Sequence, residues 1–453
     1  MTETLATYSL KDAAAVLNVS CDEEALFKRV CTDSRTLEKG DLFVALKGPN
    51  FDGHDHLEQV KSKGAVGAIV SETQKTELIQ LKVKDTRLAL AELAKARRAA
   101  FKGKVVGLTG SNGKTTVKEF IAAILRKAGK VLATHGNLNN DIGLPLTLLE
   151  LKGDEDFAVI EMGANHHGEI AFLTDIAKPD VAVITNAGAA HLEGFGSVEG
   201  VSRAKGEIYS GLSAQGKAIV NLDDKYSDYW RSLVSKFEMI GFGIDAKDAL
   251  IAASNLHDND GKNSFLLKTP AGECEVSLNL PGIHNVRNAL AAAAVAYALD
   301  IELGKIKSAL EEMQPVRGRL NFISGLNDSL VIDDTYNANR DSMKAAIDVL
   351  SKRAGKKIVV LGDFFESGEN AVLMHQEIGE YAQEKGIDEL FALGELSKNA
   401  IDAFKGEGKH FSNKIELIQQ LQNGLDSNTT VLVKGSRGMK MEEIVEKLIV
   451  RHS

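Results

Sequence analysis

The apolar run Val105-Val106-Gly107-Leu108 leads straight into Thr109-Gly110-Ser111-Asn112-Gly113-Lys114-Thr115-Thr116. A helical pattern follows, with Val117, Phe120, Ile121, Ile124 and Leu125 on one face. Strand, glycine loop and helix together are the setting a phosphate-binding loop requires. Glycines let the backbone turn tightly, so that successive N–H groups face an anion at the helix N-terminus. Lys114 can then reach the terminal phosphates of a nucleoside triphosphate, and the Thr115 hydroxyl can ligate Mg²⁺. The longer form of this loop has glycine at position 108, where Leu108 stands; the form here is the shorter Gly-x-x-Gly-Lys-Thr. An ordinary strand-to-helix turn is the competing explanation, and the Gly-Lys-Thr-Thr core speaks against it.

Around that loop, strands and amphipathic helices alternate, which predicts mostly parallel sheets. At 453 residues the chain is too long for one core. Three blocks are expected, with boundaries at 1–84, 85–314 and 315–453. In the first, Leu10 to Leu17 and His56 to Lys63 read as helices, Asp41 to Leu46 and Val66 to Val70 as strands. In the second, Phe157 to Ile160, Val181 to Thr185 and Ala218 to Leu222 are strands. Residues 240 to 281 are more β-rich, and Asn285 to Leu299 is a helix. The third block has strands at Leu330 to Asp333, Lys357 to Leu361, Glu389 to Leu393 and Thr430 to Val433. Helices start there near Ser342, Ala371, Ser397, Lys414 and Met441. No Gly-x-Gly-x-x-Gly opens this block, so it carries no signal for NAD.

Composition removes several classes of function. The chain has 54 Lys+Arg against 63 Asp+Glu, with no basic cluster, which argues against nucleic-acid binding. Its longest apolar runs, such as Ala289 to Leu299, are too short and too alanine-rich to span a bilayer. Met1-Thr2-Glu3-Thr4 has no basic flank before an apolar stretch, so a cytoplasmic location is expected; a monomer is the default expectation. Cys21, Cys31 and Cys274 fall in no spacing motif and read as reduced packing residues.

Further candidates stand just past later strands of the same sheet. Glu161 follows Phe157-Ala158-Val159-Ile160, and His191 follows the Val181 strand and a turn of small residues. Strand ends at the carboxyl edge of a parallel sheet point into one crevice, and a carboxylate beside a phosphate suits Mg²⁺. Taken singly, Glu161 could equally partner a helix start and His191 could be a loop histidine. Lys205, in Ser202-Arg203-Ala204-Lys205-Gly206-Glu207, reads by itself as a solvated cation on a helix.

In combination these motifs resemble the Mur ligase superfamily, in order and over all three blocks. The loop with its displaced glycine, Glu161-Met162-Gly163-Ala164-Asn165 and Asn186-Ala187-Gly188-Ala189-Ala190-His191 carry the resemblance in the central block. Lys205 falls on a lysine that is carbamylated in relatives. His284-Asn285-Val286-Arg287-Asn288-Ala289 is similar to the segment whose asparagine contacts adenine. Arg319 and Asp334 match positions that close on ATP from the third block. Thr32-Asp33-Ser34-Arg35, the run Gly40 to Gly48 and Asp52-Gly53-His54 resemble a uridine-nucleotide-sugar domain, which folylpolyglutamate synthase lacks. Asp333-Asp334-Thr335-Tyr336-Asn337-Ala338-Asn339 resembles the branch that adds a dipeptide; sister ligases that add a diamino acid commonly have Asp-Tyr-Ala-His there. Leu361-Gly362-Asp363 with Glu366, His375, and Lys434 to Met439 point the same way. Two departures stand out: Arg340 where the family usually has proline, which removes a φ restraint after Asn339, and Ser367 where leucine is common.

The resemblance implies an α/β chain of three domains. These are an N-terminal uridine-nucleotide-binding domain, a central P-loop domain with a mostly parallel sheet, and a C-terminal Rossmann-like domain. It implies an ATP- and Mg²⁺-dependent ligase that joins D-alanyl-D-alanine to a UDP-MurNAc-tripeptide through an acyl phosphate. Lys114, Glu161, His191 and Lys205 would be catalytic, and Thr115, Glu161, His191 and carbamylated Lys205 the metal ligands. Gly110, Ser111, Asn112, Gly113, Lys114, Thr115, Thr116, Asn285, Arg319 and Asp334 would bind ATP. Ser34, Arg35, Lys47 and Asn50 would hold the uridine-nucleotide sugar, and Tyr336, Asn337 and Asn339 would form the loop closing on the dipeptide. A nucleotide-gated switch that has lost the chemistry is the alternative of another class; it has no need of a second metal site.

Overall fold

Alternation along the strand Lys104–Thr109 sends Val106 and Leu108 to one face of the central sheet and Val105 to the other. Both faces are covered. On the first lie the helices Lys114–Arg126 and Ile283–Ala298, which bury Phe120, Ile124, Leu290 and Val295. On the second, Ile170, Val201, Tyr209 and Trp230 pack against Ala158, Ile160, Ala182 and Ile184. A sheet covered on both sides explains why its strands read as nearly unbroken apolar runs.

The structure, a computed structural model, describes residues 8–259, 261–365 and 368–450; Met1 to Thr4, Glu366 and Ser367 lie outside the described residues. The central sheet has nine strands. From Val131–Ala133 through Phe157–Glu161, Lys104–Thr109, Val181–Ile184, Lys217–Asn221 and Glu238–Gly243 to Ile251–Asn259 all neighbours are parallel. Lys262–Thr269 and Gly272–Leu278 extend it antiparallel, the β-rich stretch expected from sequence. Chain direction across the sheet reverses around Lys104–Thr109, which has Phe157–Glu161 on one side and Val181–Ile184 on the other. Ligand crevices form at such reversals, outside the carboxyl ends of the strands.

Two smaller sheets flank this one. The N-terminal sheet runs Val30–Cys31, Leu42–Val44, Gly67–Val70 and Gln80–Lys82, all parallel. The C-terminal sheet has six strands in the order Asn321–Ser324, Leu330–Asp333, Thr429–Lys434, Lys356–Gly362, Glu389–Leu393 and Glu407–Phe411. Only its first pair is antiparallel. The architecture is the expected three-part α/β one. Among the described residues no helix is long and apolar enough to cross a membrane. Ala289 to Ala298 lies in the helix Ile283–Ala298, whose alanines are buried and allow close packing.

One helix overlooked in the sequence joins two cores. Thr86–Ala100 is capped by Asp85, whose carboxylate accepts the Arg87 and Leu88 N–H groups at 2.8 and 3.1 Å. Ala89, Leu90 and Leu93 pack with the first sheet's Leu42 and Ile69, whereas Ala91 and Ala94 pack with Ile160 and Leu173 of the central domain. Arg98 ties it further to the central domain by donating to the Ala177 carbonyl at 2.8 Å.

Close helix packing in the third domain rests on Gly379 of Ala371–Glu384, where an added β-carbon would run into the Ala400 carbonyl. Gly379→Ala should therefore destabilise this domain. Overpacking costs about 1–3 kcal/mol, and the gain in helix propensity, about 1 kcal/mol, offsets only part of it. A fall in the urea midpoint, followed by a probe within residues 320–450, is the expected result; an unchanged or higher midpoint would contradict this packing account.

Candidate active site

The crevice starts from strand register. Glu161 pairs with Leu108 and Ile184 with Thr109, so all three strands end level with the glycine loop. Gly113 caps the helix Lys114–Arg126 at φ 82°, a left-handed conformation that disfavours a side chain, and Asn288 fills the space a side chain would need. Lys114 Nζ donates to the Gly110 and Ser111 carbonyls at 2.7 and 3.3 Å. Burial pushes this amine below its ordinary range; nearby Glu161 opposes that shift and Arg319 adds to it. A desolvated cation beside a row of loop N–H groups is a receptor for anionic phosphate. Ser111 and Asn112 are pinned by the strap that follows Val181–Ile184: Ser111 N–H donates to the Asn186 carbonyl at 3.0 Å, and Asn112 N–H to its side chain at 2.9 Å. Thr116 is buried beneath the loop.

Glu161 is almost fully buried. One carboxylate oxygen, Oε1, accepts from Asn139 Nδ2 at 2.8 Å, while Oε2 has no partner among the described residues. An isolated buried carboxylate oxygen is costly, and it faces a crevice also lined by Lys114 and Thr115. It therefore fits a hard cation such as Mg²⁺, which takes one or two carboxylates and completes its shell with water and phosphate oxygens. Among the described residues no group of three His, Cys, Asp or Glu side chains forms a ready-made metal cage.

His191 lines the same crevice, half-buried, at φ 53° and ψ 36° where the strap turns into the helix Leu192–Phe195. Lys205, which alone would read as a solvated cation, is 1% exposed. It lies on the helix Val198–Gly206, and its amine sits 5.5 Å from the centre of the Phe195 ring. Trp230 holds that helix by donating from Nε1 to the Ser202 carbonyl at 3.0 Å. Among the described residues no hydrogen bond or ion pair reaches the Lys205 amine. Burial, reinforced by the charge of Lys114, lowers its pKa to about 7 against the weaker pull of Glu169 and Glu207.

The third domain supplies the opposite wall. Arg319 donates from Nη2 to Thr115 Oγ1 at 3.2 Å and stacks 4.1 Å from the centre of the Tyr336 ring. Asn339 donates from Nδ2 to Asn112 Oδ1 at 2.8 Å. Asp334 accepts the Leu320 N–H at 3.1 Å and pairs with Lys434 at 2.5 Å. Lys434 also donates to the Asn337 carbonyl at 2.8 Å. This lysine, buried and lining the space on both sides of the loop, opens the run Lys434 to Met439 noted in the sequence, where it was given no role of its own. Asn139 was missed too, although Asn137-Leu138-Asn139-Asn140 is an unusual amide run.

Two cavities of about 820 and 450 Å³ meet at Asn112, Gly113, Arg319 and Lys434. The larger holds Glu161, His191, Tyr336, Asn337 and Asn339; the smaller holds Asn285 and Asp334. Asn285 is fixed by donating to the Pro281 carbonyl at 2.7 Å and accepting from Asn288 Nδ2 at 3.1 Å. Ser34, Arg35, Lys47 and Asn50 line neither cavity. They belong to the N-terminal domain, where Lys63 Nζ donates to the Ser34 and Arg35 carbonyls at 2.7 and 3.0 Å. Arg35 and Lys47 are exposed cations with single carboxylate partners, Asp33 at 2.7 Å and Asp52 at 3.0 Å. Such exposed pairs are weak and yield readily to a stronger anion.

Comparison with known proteins matches all three parts. The profile described as Mur ligase family, catalytic domain, matches residues 27–98; Mur ligase middle domain matches 108–296; and Mur ligase, glutamate ligase domain, matches 318–437. An Escherichia coli (strain K12) protein named UDP-N-acetylmuramoyl-tripeptide–D-alanyl-D-alanine ligase is 46% identical over 421 residues, covering 92% of this chain and 93% of that one. A crystal structure of MurF from Acinetobacter baumannii superposes with a TM-score of 0.92 at 38% identity, covering 97% of this chain and 98% of that one. MurF ligase from Thermotoga maritima in complex with ADP gives 0.84 at 29% identity, covering 92% and 96%. Family profiles spanning most of the chain and a near-full-length relative at this identity agree with the phosphate loop, the buried Glu161 and Lys205, and the third-domain wall: the chain belongs to the Mur ligase family.

Proposed function

We propose that this chain is the ATP-dependent ligase that joins D-alanyl-D-alanine to UDP-MurNAc-tripeptide, giving UDP-MurNAc-pentapeptide, ADP and phosphate. The observation that carries the reading is the open oxygen of Glu161 beside Lys114 and Thr115, in a crevice that Arg319 and Asn339 close from the third domain. The acceptor follows from the near-full-length relatives and from the Tyr336 to Asn339 loop.

A carboxylate is a poor acylating agent because its leaving group would be oxide. In the proposed reaction the terminal carboxylate of the tripeptide attacks the γ-phosphorus of ATP. The bond to the bridging oxygen breaks, releasing ADP and leaving an acyl phosphate. The dipeptide amine then attacks the acyl carbon, loses a proton, and phosphate departs as the amide forms. The N–H groups that open the helix Lys114–Arg126 and the Lys114 amine would hold the phosphates in line, a positioning and electrostatic role. Thr115 and Glu161 are the residues fitted to one Mg²⁺, and His191 with a carbamylated Lys205 to a second. Bound there, the metal would offset negative charge on two anions that must meet. Lys205 suits carbamylation because only the free amine adds to CO₂. Its nitrogen bonds the carbon and gives up a proton, turning a cation that repels metal into an oxygen ligand.

Asn285 would contact the adenine, with Arg319 and Asp334 covering the nucleotide. Ser34, Arg35, Lys47 and Asn50 would anchor the uridine diphosphate, and Tyr336, Asn337 and Asn339 would close over the dipeptide. Closure would exclude water and protect the acyl phosphate. A cytoplasmic monomer is the expected working form.

Phosphate release from Mg-ATP and UDP-MurNAc-tripeptide should depend on D-alanyl-D-alanine and yield a product heavier by one dipeptide less water. Release with a free diamino acid instead, on the dipeptide precursor, would reassign the chain to a sister activity. Glu161→Gln should fold normally yet lower kcat by about 10²–10³-fold; near-normal turnover would remove Glu161 from the site. Above a pH of about 7 the free amine of Lys205 predominates in the folded chain, and below it the ammonium. Activity should therefore fall on the acid side of that value, and added bicarbonate should raise it. Lys205→Arg, which cannot carbamylate, should be inactive with or without bicarbonate. Intact-protein mass without a CO₂ adduct under saturating bicarbonate would count against the modification.

A further inference from the structure

Arg340 departs from the family's usual proline at the first position of the helix Arg340–Ser351, a place where proline fixes the backbone in advance. Here other contacts fix it. Asn339 and Ser342 form a capping box, and Arg340 reaches sideways to two carboxylates, Asp341 at 3.1 Å and Glu377 of the neighbouring helix at 3.3 Å. The second oxygen of Asp341 leaves the third domain altogether and accepts the Ala189 N–H at 3.0 Å.

That contact completes a pattern in the strap. Three successive N–H groups have three separate anchors: Ala187 donates to Asp224 at 2.9 Å, Gly188 to Ser111 Oγ at 2.9 Å, and Ala189 to Asp341. The first two anchors belong to the central domain; only the third arrives with the third domain. His191 lies two residues further on, in a left-handed conformation that the strap must hold. Gly188 leaves room for the contact, since a β-carbon there would stand 2.7 Å from the Asp341 carboxylate.

We propose that Asp341 is a positioning residue that docks the third domain onto the strap carrying His191, with Arg340 aiming its carboxylate. Docking of the third domain and ordering of the His191 segment are then one event. The proposal rests on the ligase reading for its effect on turnover, but the contact itself does not depend on which peptide is joined.

The test is amide hydrogen exchange in the full-length chain with Mg-ATP alone, alongside steady-state ligation. In Asp341→Ala, exchange of peptides covering 186–191 should quicken about tenfold, the scale of one hydrogen bond to a charged acceptor. Peptides from the strand Val181–Ile184 should not change. With both substrates, kcat should fall about tenfold and KM for ATP rise. Gly188→Ala breaks the same contact from the other side and leaves the third domain intact, so it serves if Asp341→Ala folds poorly. The double variant should be little worse than either single one, as expected for two changes to one contact. Arg340→Ala should give a smaller effect in the same direction. Unchanged exchange at 186–191 in both single variants, or additive losses in the double, would overturn the proposal; dipeptide-independent ligation would instead correct the substrate and leave the latch standing.

Discussion

The crevice depends first on parallel pairing of Lys104–Thr109 with its two neighbours. Parallel register brings three strand ends to one height, so a glycine loop, a carboxylate and a histidine-bearing strap meet without any of them reaching far. A one-residue slip would turn Glu161 from the crevice to a covered face of the sheet. Apolar packing on both faces makes such a slip costly, because Val105 and Val106 would have to exchange layers. The fold's largest hydrophobic investment thus stabilises the alignment of its most polar residues.

Charge inside the crevice is arranged to be incomplete. Lys205 and Lys434 are buried and Lys114 is half-buried, and desolvation lowers the affinity of each for its proton. Of the three, among the described residues, only Lys434 has a carboxylate in direct contact, Asp334. Lys114 leans on loop carbonyls, and the Glu161 oxygen that could balance positive charge is left open. Such a site is preorganised for ligands that bring anions and cations together, as a metal-bound triphosphate does, and water alone satisfies it poorly.

Much of this was legible in sequence, for definite reasons. The glycine loop is local, and its order of residues states its own backbone geometry. Strand and helix positions in the central and third parts follow from apolar period, and most observed elements begin within a few residues of expectation. What could not be read was burial. Lys205 on a short helix carries no mark of being 1% exposed; its environment is made by Phe195 and Trp230, brought there by the fold. Asn139 was passed over, and Lys434 noted without a role, for the same reason: what they do lies in partners elsewhere in the chain. Arg340 was visible as a departure, yet its meaning needed Glu377 and Asp341 in space.

The helix Thr86–Ala100 sets one core with Ala89, Leu90 and Leu93 and another with Ala91 and Ala94. A helix shared in this way works as a rivet. Ser34, Arg35 and Lys47, carried by the first part, would then stand at a set separation from the phosphate loop. The first and central parts together resemble a caliper whose span the shared helix sets. A tethered molecule gripped at one jaw presents its reactive end at the other only if its length matches the gap. With the proposed anchor at Ser34, Arg35 and Lys47, stem peptides one residue too short or too long would be rejected by measurement.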